Sequence, residues 1–446
     1  MLSRVATLSS RATGLRASAT CRTYSAASNE DMCVAIKNKL GLKSTDEFIA
    51  QENKHGAHNY HPIPAVLERG EGPFMWDVEG KRYFDFLSAY SAVNQGHCHP
   101  RLVKAITEQA SKLTLTSRAF HNDVMAAYTS YITDFFKYDK VLPMNSGVEA
   151  GETAVKLARK WAYEVKKVPA NQAKIIFAKD NFWGRSIAAC SSSSDPTCYT
   201  NFGPFTPGFV QVNYNDIDAL EKEIADPNTA AFYIEPIQGE AGVVVPDADY
   251  HQRAFDLCKK HNVLFIADEI QTGLGRTGKM LCIEHSNVRP DVVVLGKALS
   301  GGMLPVSAVL TDNEVMDCIH PGEHGSTYGG NPLACRVAME ALQILKDEDL
   351  CGRAEKLGET FRTTIRDLNL PFVQLVRGKG LLNAVVVDPA HKVSAWDMCM
   401  RLKDAGILAK PTHDHIIRFA PPLVLTDAQM TEALGTICDV LKNSHE

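Results

Sequence analysis

No two of the chain's twelve cysteines stand in a C-x-x-C pair, and the nearest neighbours, Cys190 and Cys198, lie eight positions apart. That spacing supplies neither the clustered ligands of a zinc site nor the dense framework of a small disulfide-stapled domain. The cysteines read instead as small hydrophobes in a reducing compartment. One His/Cys cluster, His97-Cys98-His99-Pro100, has no second half at metal-binding spacing and reads as a turn into a helix starting near Arg101. Long apolar runs are also missing. Stretches such as Val292–Leu295 fall far short of the roughly 18 residues that a membrane-spanning helix needs, so a soluble protein without a membrane partner is expected. Basic charge is not in excess: 47 Lys and Arg against 52 Asp and Glu leave a net charge of −5, which speaks against a nucleic-acid partner. Low-complexity linkers and internal repeats are absent too. What remains is the composition of a globular protein, 45% hydrophobic and 22% charged, long enough at 446 residues for two or three domains.

One further absence is local. The first acid in the chain is Glu30, whereas Arg4, Arg11, Arg16 and Arg22 punctuate a Ser-, Thr-, Ala- and Leu-rich stretch before it. This is the composition of a mitochondrial transit peptide rather than of a secretory signal, which needs an unbroken apolar core. Arg22-Thr23-Tyr24-Ser25 fits a matrix-protease site, so residues 1–24 read as a leader and the mitochondrial matrix as the destination. Without those four arginines the rest of the chain carries −9, four units below the whole-chain −5.

After the leader, Ser44-Thr45-Asp46-Glu47 has the pattern of a capping box opening a helix. Between about 140 and 310, apolar runs alternate with amphipathic stretches. Ala173–Ala178, Ala230–Ile237, Val263–Ala267 and Val292–Leu295 read as strands buried on both faces. Tyr250–His261 reads as a helix with Ala254, Leu257 and Cys258 on one face. That alternation predicts an α/β domain with a mostly parallel central sheet flanked by helices, with its ligand site beyond the carboxyl ends of the strands. Asn331-Pro332 suits a helix start, with the helix running over Leu333–Leu345. Beyond it, Leu381–Val387 reads as a strand and Thr426-Asp427-Ala428-Gln429 as a capping box for a last helix through Leu441. The expected organisation is an N-terminal segment (25–80) packing with a small α+β domain (345–446), and a large cofactor-binding domain (81–344) between them.

Chemistry concentrates at the strand ends. Asp268 follows one buried run and Lys297 another, 29 residues apart, about one βα unit. A lysine beside small residues at a strand end is partly desolvated and therefore a competent Schiff-base nucleophile. An aspartate at the neighbouring strand end could keep a pyridinium nitrogen protonated, as pyridoxal phosphate requires. Taken alone, such a lysine is equally a solvated loop residue. Val141–Glu152 places a polar, glycine-containing turn at a helix start, suited to a phosphate and equally to an ordinary capped helix. Gly273–Gly278 matches G-x-G-x-x-G but stands five residues beyond its strand and opens no long helix, so it is not read as a dinucleotide motif.

Taken in order, SGVEAGE near 150, EPIQGEAG at 235–242, DEIQTGLGRTG at 268–278, GKALSGG at 296–302 and GSTYGGNP at 325–332 resemble the class III pyridoxal-phosphate aminotransferases. The resemblance runs from about residue 40 to the C-terminus. HGAHNYHPIP at 55–64, FLSAYSAVNQGHCHP at 86–100 and NFWGRS at 181–186 resemble the branch of that class acting on ornithine. The fold implied is the type I pyridoxal-phosphate transferase fold. The resemblance also implies that Lys297 anchors the cofactor and shuttles the proton, Asp268 pairs with the ring nitrogen, and Gln271 lies near the phenolic oxygen. Phe182 stacks on the ring, while Gly147 and Val148 offer N–H groups to the phosphate. Ser326 and Thr327 reach that phosphate from the other subunit of a homodimer, which could associate further.

For substrates the resemblance implies L-ornithine and 2-oxoglutarate. Arg185 clamps the α-carboxylate of ornithine, and Tyr60 and Tyr90 hold its α-amino end. Arg418, masked by Glu240 while ornithine is bound, receives the α-keto acid of 2-oxoglutarate. By residue type alone, the two tyrosines are equally core aromatics and Arg185, Glu240 and Arg418 equally a structural ion-pair network. Where the family commonly has His-Gly-Asp, this chain has His413-Asp414-His415, and Asp414 is expected to adopt the left-handed conformation in place of glycine. Alternatives within the fold are an enzyme acting on 4-aminobutyrate or acetylornithine, and an aminomutase that needs no Glu240/Arg418 switch. A catalytically silent assembly subunit would lack the lysine or the aspartate.

Overall fold

The computed structural model describes residues 31–444; the expected leader, 1–24, lies outside the described residues. The chain falls into two units, one ending at Ala57 and one beginning at His58. In the first, helix Met32–Leu40 closes on Gly41 with φ 69°, and helix Thr45–His55 opens on the expected capping box between Ser44 and Glu47.

The second unit begins with strands β1 (Leu67–Glu71), β2 (Phe74–Asp77) and β3 (Arg82–Asp85). The central strands are β4 (Lys140–Met144), β5 (Lys174–Ala178), β6 (Phe209–Val212), β7 (Thr229–Ile234), β8 (Leu264–Asp268), β9 (Val292–Leu295) and β10 (Ser307–Thr311). The last five are β11 (Val373–Lys379), β12 (Leu382–Val387), β13 (Ile407–Leu408), β14 (Lys410–Thr412) and β15 (Ile416–Phe419).

Strands β4 to β10 form one seven-stranded sheet in the order β4-β10-β9-β8-β7-β5-β6. It is parallel from β9 to β6, and β10 runs antiparallel to both its neighbours. Side chains alternate across a strand, and here both faces find a hydrophobic partner. Phe232, Ile234, Phe265, Ala267, Val293 and Leu295 join one core cluster; Ala231, Tyr233, Leu264, Ile266, Val292 and Val294 join the other. That two-sided burial is why these strands read as unbroken apolar runs.

Several strand boundaries differ from expectation by one to three residues. β8 is shifted so that Asp268 is its last residue, and β7 stops at Ile234, where Pro236 has no N–H to continue the ladder. The helices expected at 250 and 332 are Tyr250–Lys260 and Pro332–Asp347. The C-terminal helix Asp427–Lys442 opens on the expected Thr426 box. A second sheet, in the order β11-β12-β15-β14, is antiparallel throughout, and a third has the order β1-β2-β3-β13, in which β13 pairs parallel with β3. Gly273–Gly278 is a buried run of turns rather than a strand-to-helix phosphate loop.

Candidate active site

The carboxyl ends of β4, β7, β8 and β9 meet on one side of the sheet and line a cavity of about 240 Å³. Helix Gly147–Glu164 begins there, capped by Ser146, whose hydroxyl accepts the N–H of Glu149. Gly147 and Val148 line the cavity at the start of this helix, where N–H groups precede the first intrahelical bond. Gly184 covers the same helix start: its φ is +143°, and a Cβ there would lie 2.4 Å from Val148 Cγ2.

Asp268 is buried at the end of β8. One carboxylate oxygen accepts from Tyr233 OH at 2.7 Å and the other from the N–H of Ile270 at 3.0 Å. Burial pushes its pKa up to about 6, against those two hydrogen bonds and the charge of Lys297. Glu235, after β7, is held more extremely. Burial and the neighbouring Asp268 raise it to about 8, although it accepts the N–H of Phe182 at 2.9 Å and of Gly239 at 3.3 Å. Lys297 follows β9 with φ 45°, and burial lowers its pKa against the pull of Glu240, Asp268 and Glu235.

A second cluster adjoins the first through Gln271. Its side-chain oxygen accepts from Arg418 at 2.5 Å, and its amide donates to Glu240 at 3.3 Å. Arg418 on β15, 1% exposed, also donates to Glu240 at 2.8 Å. Burial raises Glu240, but the Arg418 charge and hydrogen bond outweigh that and hold it below the ordinary carboxylate range. The Tyr90 ring lies 5.3 Å from the Arg418 guanidinium carbon, and its hydroxyl is pushed up by burial and by Glu240. Tyr90 stands in a turn, Ser88–Ser91, whose four residues all have positive φ, from 47° to 70°. Left-handed backbone costs an L-residue about 1–2 kcal/mol, so this turn is held by its surroundings.

Lys297, Asp268, Gln271, Phe182, Gly147 and Val148 thus come together in the cavity. Glu240, Arg418 and Tyr90 adjoin it, and Tyr60, 66% exposed, is close enough to Tyr90 to act on its charge. Arg185 does not join the Glu240/Arg418 pair. It is exposed, sits over Phe182 at 5.5 Å and donates to Cys198 at 3.5 Å. Ser326 accepts from Asn145 of its own chain at 2.8 Å and Thr327 is exposed; neither lines the cavity of the single chain. At 413–415 the turn between β14 and β15 forms, but His413, not Asp414, takes the left-handed conformation, with φ 52°. The sequence left Glu235 and Tyr233 without roles, although Glu235 stands after a buried strand just as Asp268 ends one.

The model of the Aminotransferase class-III family matches residues 55–441. The chain belongs to this family. Class-III aminotransferases use pyridoxal phosphate, and the residues present fit it. Asp268 is a buried carboxylate at the wall of a cavity that Lys297 and the start of helix Gly147–Glu164 also line, so an anchoring amine, a carboxylate for a ring nitrogen and helix-start N–H groups for a phosphate face one space. This class-III chain is 62% identical to the mitochondrial ornithine aminotransferase of Drosophila melanogaster over 87% of its own length and 90% of the relative's. Its fold matches the crystal structure of Toxoplasma gondii ornithine aminotransferase, which holds PLP at partial occupancy, with TM-score 0.92. The two are 50% identical, over 93% of this chain and 98% of that one. An acetylornithine aminotransferase from Elizabethkingia anophelis is 55% identical with TM-score 0.83, covering 90% of this chain and all of the other.

Proposed function

We propose that this enzyme transfers the terminal amino group of L-ornithine to 2-oxoglutarate. The products are glutamate 5-semialdehyde, which closes to pyrroline-5-carboxylate, and glutamate. The observation carrying the reading is the Glu240–Arg418 pair beside Lys297. Two substrates that present opposite ends to one lysine need a carboxylate-binding arginine that can be covered and uncovered.

Bound pyridoxal phosphate supplies an electron sink that makes the proton on the amine-bearing carbon acidic. Lys297 would hold it covalently and, when freed, move that proton with Nζ. Asp268 would hold the ring nitrogen, Gln271 the phenolic oxygen, Phe182 one ring face, and the N–H groups of Gly147 and Val148 the phosphate. Ser326 and Thr327 would complete the phosphate site from a second copy in a homodimer. Arg185 grips the α-carboxylate of ornithine through its planar fork, and Tyr60 and Tyr90 hold the α-amino end, so only the terminal amine reaches Lys297. A diacid displaces Glu240 and places its α-carboxylate on Arg418. The seven-stranded sheet, built from residues 140–311, supports a large domain at 81–344; the sheet built from residues 373–419 supports a small one at 345–446. The mitochondrial relative and the arginine-rich, acid-free leader support a matrix location.

Lys297→Ala protein should lose both turnover and the visible absorbance of the anchored cofactor. For substrate choice, kcat/KM is compared for ornithine, acetylornithine and 4-aminobutyrate. Ornithine should lead in wild type, and Tyr90→Ile should erode its lead over 4-aminobutyrate by at least about tenfold, or 1.4 kcal/mol. The similarity to the Elizabethkingia enzyme keeps a second reading, acetylornithine, which a lead for that amine would establish.

A further inference from the structure

We propose that Asp85 and His97 are positioning residues that set amine specificity by holding Tyr90 over Arg418, a role that rests on ornithine being the amine. None of Ser88, Ala89, Tyr90 and Ser91 is glycine or asparagine, yet all four have positive φ. Nothing in their side chains favours that backbone. The Ser88 and Ser91 hydroxyls are buried without a hydrogen-bond partner among the described residues, so they do not stabilise it either.

The turn is held from below. One carboxylate oxygen of Asp85 accepts the N–H groups of Leu87 and Ser88, each at 2.8 Å, where the chain enters the left-handed stretch. The other oxygen meets His97 Nε2 at 2.8 Å. His97 is fixed in turn. Its backbone exchanges hydrogen bonds with Gly72 at 3.0 and 2.8 Å, and a Cβ on Gly70 would lie 2.8 Å from its side chain, so the glycine leaves space for the ring. The same base is tied to the strand bearing the arginine, because Ala420, two residues after Arg418, donates its N–H to the carbonyl of Phe86 at 2.7 Å. Asp85 and His97 touch neither the cavity nor Arg418; they act through the turn. Loosening the turn lets Tyr90 relax away from the place where the α-amino group of ornithine must sit. The amine 4-aminobutyrate has no such group and loses nothing by it.

The test compares kcat/KM for ornithine and for 4-aminobutyrate in the cofactor-loaded enzyme, with its visible spectrum as a control. Asp85→Ala should lower the ornithine to 4-aminobutyrate ratio by at least about tenfold, through a raised KM for ornithine, with the spectrum unchanged. Asp85→Asn should restore most of the ratio, because its side-chain oxygen still accepts both N–H groups. Should Asp85→Ala fail to fold, His97→Asn takes its place, since it removes only the outer support and should lower the ratio in the same direction. A parallel fall for both amines, an unchanged ratio, or Asp85→Asn no better than Asp85→Ala overturns the inference while wild type still uses ornithine. A wild type inactive on ornithine overturns the functional reading itself.

Discussion

At the scale of single residues, the site is a set of ionisable groups held out of water before the cofactor arrives. Asp268 at about 6 and Glu235 at about 8 both stand above their ordinary values, chiefly through burial. An acid with a raised folded pKa favours folding below its unfolded pKa, and that contribution is lost as pH rises through the folded value. Cofactor-stripped protein should therefore lose stability between about pH 4 and 8, and Asp268→Asn should flatten the lower part of that slope by up to roughly 3 kcal/mol. Thermal melts of both proteins from pH 4 to 8 check this; a steeper slope in the variant excludes it. Glu240→Gln acts on the neighbouring pair. Removing the carboxylate leaves Arg418 buried and uncovered, so KM for 2-oxoglutarate should fall while KM for ornithine rises, a split that half-reaction kinetics resolve. The positions of Lys297 and Asp268 were legible in the sequence because each follows a buried apolar run, but the choice of a role for each came only from the resemblance to the class III family. Tyr233 was not legible, because a tyrosine inside a strand reads as core, and only its strand's place beside β8 brings its hydroxyl to Asp268.

At the scale of elements, the loop from Phe182 to Arg185 lies against the first turn of helix Gly147–Glu164, and Gly184 makes that approach possible. Gly184→Ala combines a disfavoured φ with a Cβ 2.4 Å from Val148 Cγ2. Overpacking of this kind costs about 1–3 kcal/mol, and the clash displaces Val148 at the expected phosphate site. The variant should melt lower and need more pyridoxal phosphate for half-maximal activity, as a cofactor titration followed by absorbance would show; lower melting with unchanged cofactor affinity would confine the effect to packing. Helix starts were the legible elements. Ser44 with Glu47 and Thr426 with Gln429 form boxes where the sequence placed them, because capping is decided within four residues. The turn at Ser88–Ser91 was illegible because the local Asp85 contact is itself fixed by His97, twelve residues on, and by a strand more than three hundred residues further along the chain.

At the scale of the molecule, the parallel heart of the sheet followed from its two-sided apolar runs, but β4, β6 and β10 did not. β10 reverses direction between β9 and β4, a topology that no local pattern encodes. Within a single chain Ser326 is turned to Asn145 and Thr327 is exposed. If two copies share their sites as proposed, each cavity draws Lys297 from one chain and Thr327 from the other, and two differently crippled chains can rescue one another. Lys297→Ala and Thr327→Arg proteins should each be nearly inactive as homodimers. Co-expressed in equal amounts, half the dimers are mixed, and each mixed dimer assembles one intact site from the sound halves and one doubly damaged site. About a quarter of wild-type activity should return, as expected for an isologous pair exchanging identical parts. Sites complete within one chain would give no rescue at any mixing ratio, so the activity of purified mixed dimers, tagged differently on each chain, separates a shared site from a self-contained one.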